Sequence, residues 1–99
     1  MKDGLLWCVR NLKDHDGLAG YTYNPDRTWS GLVNQTWKDS DEAYMHTDGT
    51  MPKKPIKDVF VNALTWCALR YGSKLLATYD HTFAEKIKKE ADKLKKRFN

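Results

Sequence analysis

Apolar side chains recur at helical spacing near both ends of this chain and only sparsely between them. Near the amino terminus, Leu5, Val9 and Leu12 follow an i, i+4, i+7 spacing, which predicts a helix over about residues 4–14. Gly17 lies just beyond the last of these positions, and glycine is the residue most often found directly after a helix. The pattern therefore predicts a first helix that ends before Gly17.

Two further helices are predicted in the second half of the chain. One covers about residues 55–77 and begins at Pro55, because proline is favoured at the first position of a helix. It is apolar around much of its circumference, so it needs neighbours on more than one side. The other covers about residues 82–98 and begins with the capping box of Thr82 and Glu85. Its apolar stripe is formed by Phe83, Ile87, Ala91, Leu94 and Phe98.

Between the first two predicted helices, about residues 18–54 carry turn signals and no convincing periodic element. A stretch of this length is uncommon in a compact domain and is usually functional or part of a larger structure. The sequence therefore predicts an all-α fold, with three helices and a long irregular loop, in which residues 1–99 form a single partial domain.

Charge adds one feature to this picture. The net charge is +4, and seven basic residues fall between Lys86 and Arg97. Acidic residues are interleaved with them at i, i+4 spacing. This pattern is typical of a solvated helix face rather than of a surface that binds the phosphate backbone of a nucleic acid. The predicted pairs are Glu85–Lys89, Lys86–Glu90 and Asp92–Lys96. We therefore expect no nucleic-acid partner, and a basic helical interaction module remains an alternative.

The cysteines and the absence of targeting signals bear on the compartment. Cys8 and Cys67 each lie among apolar residues on a predicted helix, a setting typical of buried, reduced thiols. The sequence contains no signal peptide, no transmembrane stretch and no cysteine framework. We therefore expect a cytoplasmic protein with no membrane partner.

The stretch NQTWKDSDEAYMHTDG, residues 34–49, concentrates carboxylates, amides and aromatic rings. Asp39 lies two residues after Trp37, and a carboxyl beside an aromatic face can have its pKa raised by desolvation and act as a general acid. The alternative is a solvated aspartate, or one that caps a turn. Neither His15 nor His46 has the ligand spacing of a zinc site, so we expect no metal and no cofactor.

Other site chemistries fit this stretch poorly. Ser40 lacks the glycines of a nucleophile elbow, and no glycine-rich phosphate loop is present. What remains is an acid with amides and aromatic rings, a set that suits a sugar, whose hydroxyls pair with polar groups and whose faces lie on aromatic planes. The residues of this set are Trp29, Asn34, Gln35, Trp37 and Asp39.

One run of residues resembles a known family. Gly31-Leu32-Val33-Asn34-Gln35-Thr36-Trp37-Lys38-Asp39-Ser40 is similar to the G-L-x-N-Q-G-W-K-D-S signature of the amylo-α-1,6-glucosidase part of glycogen debranching enzymes. The likeness extends to the Asp14–Leu18 turn, His46-x-Asp48-Gly49, Pro55-Ile56 and Val61-Asn62-Ala63-Leu64. The sequence departs from the family at Thr36, at Asp41-Glu42 and at Phe60, where the family usually has Gly, Gly-Asp and, in many members, Glu.

The resemblance implies a segment of an (α/α)6 barrel, in which two concentric rings of helices carry the active site in loops at one end. It implies inverting hydrolysis of an α-glucan or oligosaccharide, with Asp39 as the general acid and Lys38 and Ser40 orienting its carboxyl. The implied substrate-binding residues are Trp37, Gln35, Asn34, Lys38, Trp29 and His46.

Inversion also needs a second carboxylate as the base, about 6.5–9.5 Å from the acid so that a water fits between them. In the family this base comes from a later segment, so the isolated chain is expected to be inactive. The expected partners are an α-glucan and either the remainder of the barrel or a self-associated copy. A non-catalytic carbohydrate-binding remnant remains an alternative.

Overall fold

The computed structural model describes residues 1–21, 45–50, 53 and 55–99. Within these residues the chain forms three helices, α1 (Lys2–Asp14), α2 (Val59–Leu76) and α3 (His81–Phe98). Extended pairing in the same residues is limited to an isolated antiparallel bridge between Tyr21 and Ile56. The predicted all-α class is confirmed.

The three helices lie side by side and alternate in direction. Leu5, near the start of α1, packs on Gly72 near the end of α2, and Lys2 pairs with Asp80 at the start of α3. At the opposite end, Arg97 donates a hydrogen bond to the carbonyl oxygen of Asp16 at 3.1 Å. Consequently α1 and α3 run parallel to each other, and α2 runs antiparallel to both.

The core lies between the helices, and α2 packs more extensively on α3 than on α1. The predicted inward positions of α1, Leu5, Val9 and Leu12, are all buried. The buried core cluster consists of Leu5, Val9, Leu12, Ala19, Leu69, Ile87, Ala91 and Leu94.

The carboxyl end of α1 is a left-handed turn of the Schellman type. Asp16 and Gly17 both have positive φ, +60° and +85°, and the Gly17 N–H donates to the carbonyl oxygen of Leu12 at 2.8 Å. This hydrogen bond joins residues five positions apart and satisfies the Leu12 carbonyl oxygen at the end of the helix. The predicted stop before Gly17 therefore agrees with the structure.

The second helix begins later than predicted. Its first residue is Val59 and its cap is Asp58, whose carboxylate accepts a hydrogen bond from the Val61 N–H at 2.9 Å. Pro55 lies outside the helix because the next residue, Ile56, is buried and paired in extended conformation with Tyr21. The tertiary contact of Ile56 overrides the preference of proline for a helix start.

The third helix begins earlier than predicted. Asp80 is the cap, and its side chain accepts a hydrogen bond from the Phe83 N–H at 3.1 Å. Thr82 lies inside the first turn, so the predicted capping box is wrong. The Asp80 N–H also donates to the carbonyl oxygen of Leu76 at 2.8 Å, so the end of α2 already fixes Asp80 as the cap.

The predicted stripe of α3 is buried in its centre and open at its ends. Ile87, Ala91 and Leu94 are buried, Phe83 is half-buried, and Phe98 is exposed in the last turn.

The basic residues of α3 lie on its exposed face, as predicted. Among the described residues, none of the three predicted i, i+4 pairs forms an ion pair, and the contact within α3 is Lys93 with Glu90 at 3.4 Å.

The side of α2 that faces away from α1 and α3 remains apolar. Phe60, Leu64, Tyr71 and Leu75 are all exposed, and their i, i+4, i+11, i+15 spacing places them on one face of the helix. We call these four residues the open face of α2. The expectation that α2 needs more neighbours than two helices provide therefore agrees with the exposure of this face.

Candidate functional site

Two residues that flank the stretch carrying the predicted site are paired with each other in the fold. Tyr21 and Ile56 exchange two backbone hydrogen bonds, from Tyr21 N–H to Ile56 O at 3.0 Å and from Ile56 N–H to Tyr21 O at 2.9 Å. Tyr21 and Ile56, which flank residues 22–55 in the sequence, therefore lie side by side. This junction is next to the end of α1 and the start of α2.

Asn62, on the first turn of α2, holds the chain just before this bridge. Its side chain is 2% exposed. Its Oδ1 accepts a hydrogen bond from the Ala19 N–H at 2.7 Å, and its Nδ2 donates to the carbonyl oxygens of Ala19 at 3.0 Å and Asp58 at 2.8 Å. The amide thus pairs with Ala19 as a neighbouring β-strand would, and no hydrogen-bonding atom of this side chain is left unsatisfied.

Asn11, on α1, does the same for the next residue. Its Nδ2 donates to the carbonyl oxygen of Gly20 at 3.0 Å, and its Oδ1 accepts from the Gly20 N–H at 3.0 Å. Three consecutive residues are therefore each hydrogen-bonded through both the backbone N–H and the carbonyl oxygen. Ala19 pairs with the Asn62 side chain, Gly20 with the Asn11 side chain, and Tyr21 with the backbone of Ile56. We call this arrangement the asparagine clamp.

A cavity of about 270 Å³ opens beside the asparagine clamp. Its polar lining includes His15, Asp58 and Thr65, and its apolar lining includes Trp7 and Cys8. The His15 Nδ1 lies 2.8 Å from the Asn11 carbonyl oxygen. A carbonyl only accepts, so Nδ1 carries the proton and, in the neutral ring, Nε2 is the acceptor.

The two cysteine thiols lie on different helices, Cys8 on α1 and Cys67 on α2. Cys8 and Cys67, both in the described part of the chain, are unpaired and half-buried rather than fully buried. Burial raises the pKa of the Cys8 thiol, so at neutral pH it is protonated and a weak nucleophile. The described residues also contain no group of three His, Cys, Asp or Glu side chains that could hold a metal ion.

Of the predicted site residues, the structure describes His46. It lies in an exposed turn in which its N–H donates to the Thr50 carbonyl oxygen at 2.8 Å and its carbonyl oxygen accepts from Gly49 at 2.9 Å. The Asp48 carboxylate accepts from the Thr50 hydroxyl at 2.7 Å and from its N–H at 2.9 Å, and these bonds lower the pKa of Asp48. The turn is built by Asp48 and Thr50, and the His46 imidazole is exposed to solvent.

The other predicted site residues lie outside the described part of the chain. They are Asp39, Trp37, Gln35, Asn34, Lys38 and Trp29.

Sequence reasoning missed the asparagine clamp. Asn11 and Asn62 carry the signal, because each is a polar residue with poor helix propensity placed within a helical apolar pattern. Such a residue in a helix interior indicates a hydrogen-bond partner outside the helix. Which backbone groups the two amides hold depends on the approach of α1 to α2.

No family model matches this chain, and neither a curated protein nor a solved structure is significantly similar to it. Among the helices that the structure describes, none is long and apolar enough to cross a membrane.

Proposed function

We propose that this chain is a segment of a cytoplasmic glycoside hydrolase that acts on α-glucan and that it supplies the general-acid loop of the active site. The observation that carries the proposal is the Trp37-Lys38-Asp39-Ser40 run within residues 31–40, which is similar to the signature of the amylo-α-1,6-glucosidase family. Two features of the described residues support it.

The first supporting feature is the junction at the start of α2. The Tyr21–Ile56 bridge and the asparagine clamp hold the residues that flank 22–55 together at one end of the helices. A loop that carries a catalytic carboxylate needs such a rigid base, because small displacements of a catalytic group lower the rate strongly.

The second supporting feature is the helix arrangement. Helices α1, α2 and α3 alternate in direction, as consecutive helices do when they alternate between two concentric rings. The open face of α2 lies opposite the face that packs on α1 and α3. A helix that is apolar on both sides belongs to the interior of a larger helical structure.

In the proposed reaction Asp39 donates its proton to the glycosidic oxygen as the bond to the sugar carbon breaks. Trp37 and Trp29 provide flat apolar surfaces for sugar rings, and Asn34, Gln35, Lys38 and His46 pair with hydroxyl groups. A carboxylate from another part of the enzyme deprotonates the water that attacks the opposite face of the sugar.

The test begins with the coding sequence on either side of this chain. The proposal expects further helices and a later carboxylate in the same or an adjacent reading frame. In the protein that includes them, Asp39→Asn should lower the rate of α-glucan hydrolysis about 10²–10⁴-fold, the usual contribution of a general acid. Asp41→Asn removes the same charge from the same stretch and should retain most of the activity.

A second substrate separates acid catalysis from a structural role. Fluoride leaves without being protonated, so the Asp39→Asn enzyme should still hydrolyse α-glucosyl fluoride at a rate near that of the unmodified enzyme. Equal loss on both substrates, or equal effects of Asp39→Asn and Asp41→Asn, would count against Asp39 as the acid. Adjacent frames that encode no related helices would exclude hydrolysis by this chain.

A further inference from the structure

The open face of α2 is large for an exposed surface of so small a protein. Phe60 is 51% exposed, Leu64 52%, Tyr71 56% and Leu75 62%. Between them on the same side of the helix lie Cys67, half-buried, and Ala68, exposed. None of these six residues is charged, and Lys74 lies at the edge of the face with its Nζ 5.2 Å from the centre of the Tyr71 ring. Contiguous apolar patches of this kind mark contact surfaces.

The order of residues on this face is symmetric about its middle. Two large side chains, Phe60 and Leu64, precede the small pair Cys67-Ala68, and two more, Tyr71 and Leu75, follow it at matching distances. If two copies of α2 cross antiparallel at the small pair, Phe60 meets Leu75 of the other copy, and Leu64 meets Tyr71. Small residues at the crossing allow the helices to approach closely while the large residues fill the space on either side.

We propose that the isolated chain forms a two-fold symmetric dimer in which the open face of α2 packs antiparallel on the same face of a second copy. A two-fold interface has to be self-complementary, and the symmetric order of large and small residues meets that condition. In this arrangement Cys67 of each copy faces Ala68 of the other copy, and both Cys67 side chains lie near the axis, within reach of a short crosslinker. The proposal rests on the exposed face alone and holds whether or not Asp39 is a catalytic acid.

The area is sufficient for such a dimer. Each of the four large side chains exposes roughly half its surface, on the order of 100 Å². With Cys67, Ala68 and the rim, a copy contributes about 500 Å², and two copies bury about 1,000 Å² in total, which is near the lower limit for a specific interface. We therefore expect a reversible dimer with a dissociation constant in the micromolar range.

Sedimentation equilibrium of the 99-residue chain, under reducing conditions and over a range of concentrations from about 1 to 500 μM that brackets this affinity, tests the proposal. The unmodified chain should pass from monomer to dimer over this range. Leu64→Glu places a charge in the centre of the interface and should remain monomeric throughout. Val59→Glu is the matched control, because Val59 is also exposed, at 68%, on the same helix but outside the open face. It should still dimerise, and both variants should keep the helical circular dichroism of the unmodified chain.

Crosslinking provides a second measurement that does not depend on a charged substitution. A short bis-maleimide should link two copies of the Cys8→Ser variant through Cys67, whereas the Cys67→Ser variant should give no linked dimer. A folded chain that stays monomeric at all concentrations overturns the proposal. So does a Leu64→Glu variant that dimerises as tightly as the unmodified chain, or a dimer that Cys67 does not crosslink.

Discussion

At the scale of single residues, the junction between α1 and α2 depends on two amides whose polar atoms are all paired. Asn62 is almost completely buried, and it satisfies both backbone groups of Ala19. A buried polar group is tolerated in a core only when it has hydrogen-bond partners. Removing one partner of a buried hydrogen bond leaves the other partner unsatisfied. Asn62 therefore stabilises the fold because its side chain provides hydrogen-bond partners for the N–H and the carbonyl oxygen of Ala19, which would otherwise be buried without any.

Replacing Asn62 with alanine should lower the free energy of unfolding by about 2–4 kcal/mol, because the Ala19 N–H and carbonyl lose their partners inside the core. Asn11→Ala is the comparison, since Asn11 is half-buried and water can reach Gly20 in its place; its loss should be about 1 kcal/mol. Urea unfolding followed by circular dichroism, at one fixed protein concentration, measures both. An equal decrease in the free energy of unfolding for both variants would show that the deeper burial of Asn62 does not increase its contribution to stability.

At the scale of the helices, the contact of α1 with α2 depends on the absence of a side chain at Gly72. A Cβ atom there would lie 2.9 Å from both methyl carbons of Leu5, which is closer than such atoms approach each other. Leu5 is itself buried and belongs to the core. Glycine lowers the stability of an isolated helix by about 1 kcal/mol relative to alanine, so at this position close packing outweighs helix propensity.

Gly72→Ala should therefore destabilise the chain by about 1–2 kcal/mol, the cost of overpacking less the gain in helix propensity. The sign should reverse when Leu5 is shortened: in a Leu5→Ala background, Gly72→Ala should stabilise by about 1 kcal/mol, because the clash is gone and the propensity gain remains. Gly4→Ala on α1 is the control, since its Cβ would meet nothing within 4 Å; it should stabilise slightly. The measurement is a double-mutant cycle from urea unfolding, and an unchanged sign in the Leu5→Ala background would contradict this account.

At the scale of the whole molecule, exposed ion pairs join α1 to α3 at both ends. Lys2 pairs with Asp80 at one end, and Arg97 pairs with Asp16 at the other, at 3.3 Å. A hydrogen bond from Lys2 and another from the Phe83 N–H hold the pKa of Asp80 below its ordinary value. A carboxylate with a depressed folded-state pKa contributes stability above its unfolded-state pKa, and this contribution is lost as the pH falls through the folded-state pKa.

The thermal midpoint of the chain should therefore fall as the pH is lowered from about 5 to about 2. The Asp80→Asn variant keeps an oxygen for the helix cap but does not titrate, so its midpoint should change less over this range and approach that of the unmodified chain at the acid end. Asp92→Asn, on the exposed middle of α3, is the control and should follow the unmodified chain. Parallel curves for the Asp80→Asn variant and the unmodified chain would show that this carboxylate does not contribute to acid sensitivity.

The sequence by itself determined the helices and much of what each one buries. Regular apolar spacing placed Leu5, Val9, Leu12, Ile87 and Leu94 inward, as the structure has them, because a helix with one apolar side has one favourable way to face a core. The apolar circumference of α2 likewise indicated an exposed face from the sequence. The signature at residues 31–40 led to the glycosidase proposal, and its Asp39 lies outside the described residues.

Only the tertiary structure decided where α2 and α3 begin. Pro55 and Thr82 satisfy local rules for a helix start, but Ile56 pairs with Tyr21 and Asp80 is fixed by the end of α2. The asparagine clamp could not be predicted from the sequence either, because Asn62 pairs with the backbone groups of Ala19, a residue 43 positions away. Apart from proline in a helix interior, local helix propensities differ by about 1 kcal/mol or less, and a few buried contacts between distant residues exceed that difference.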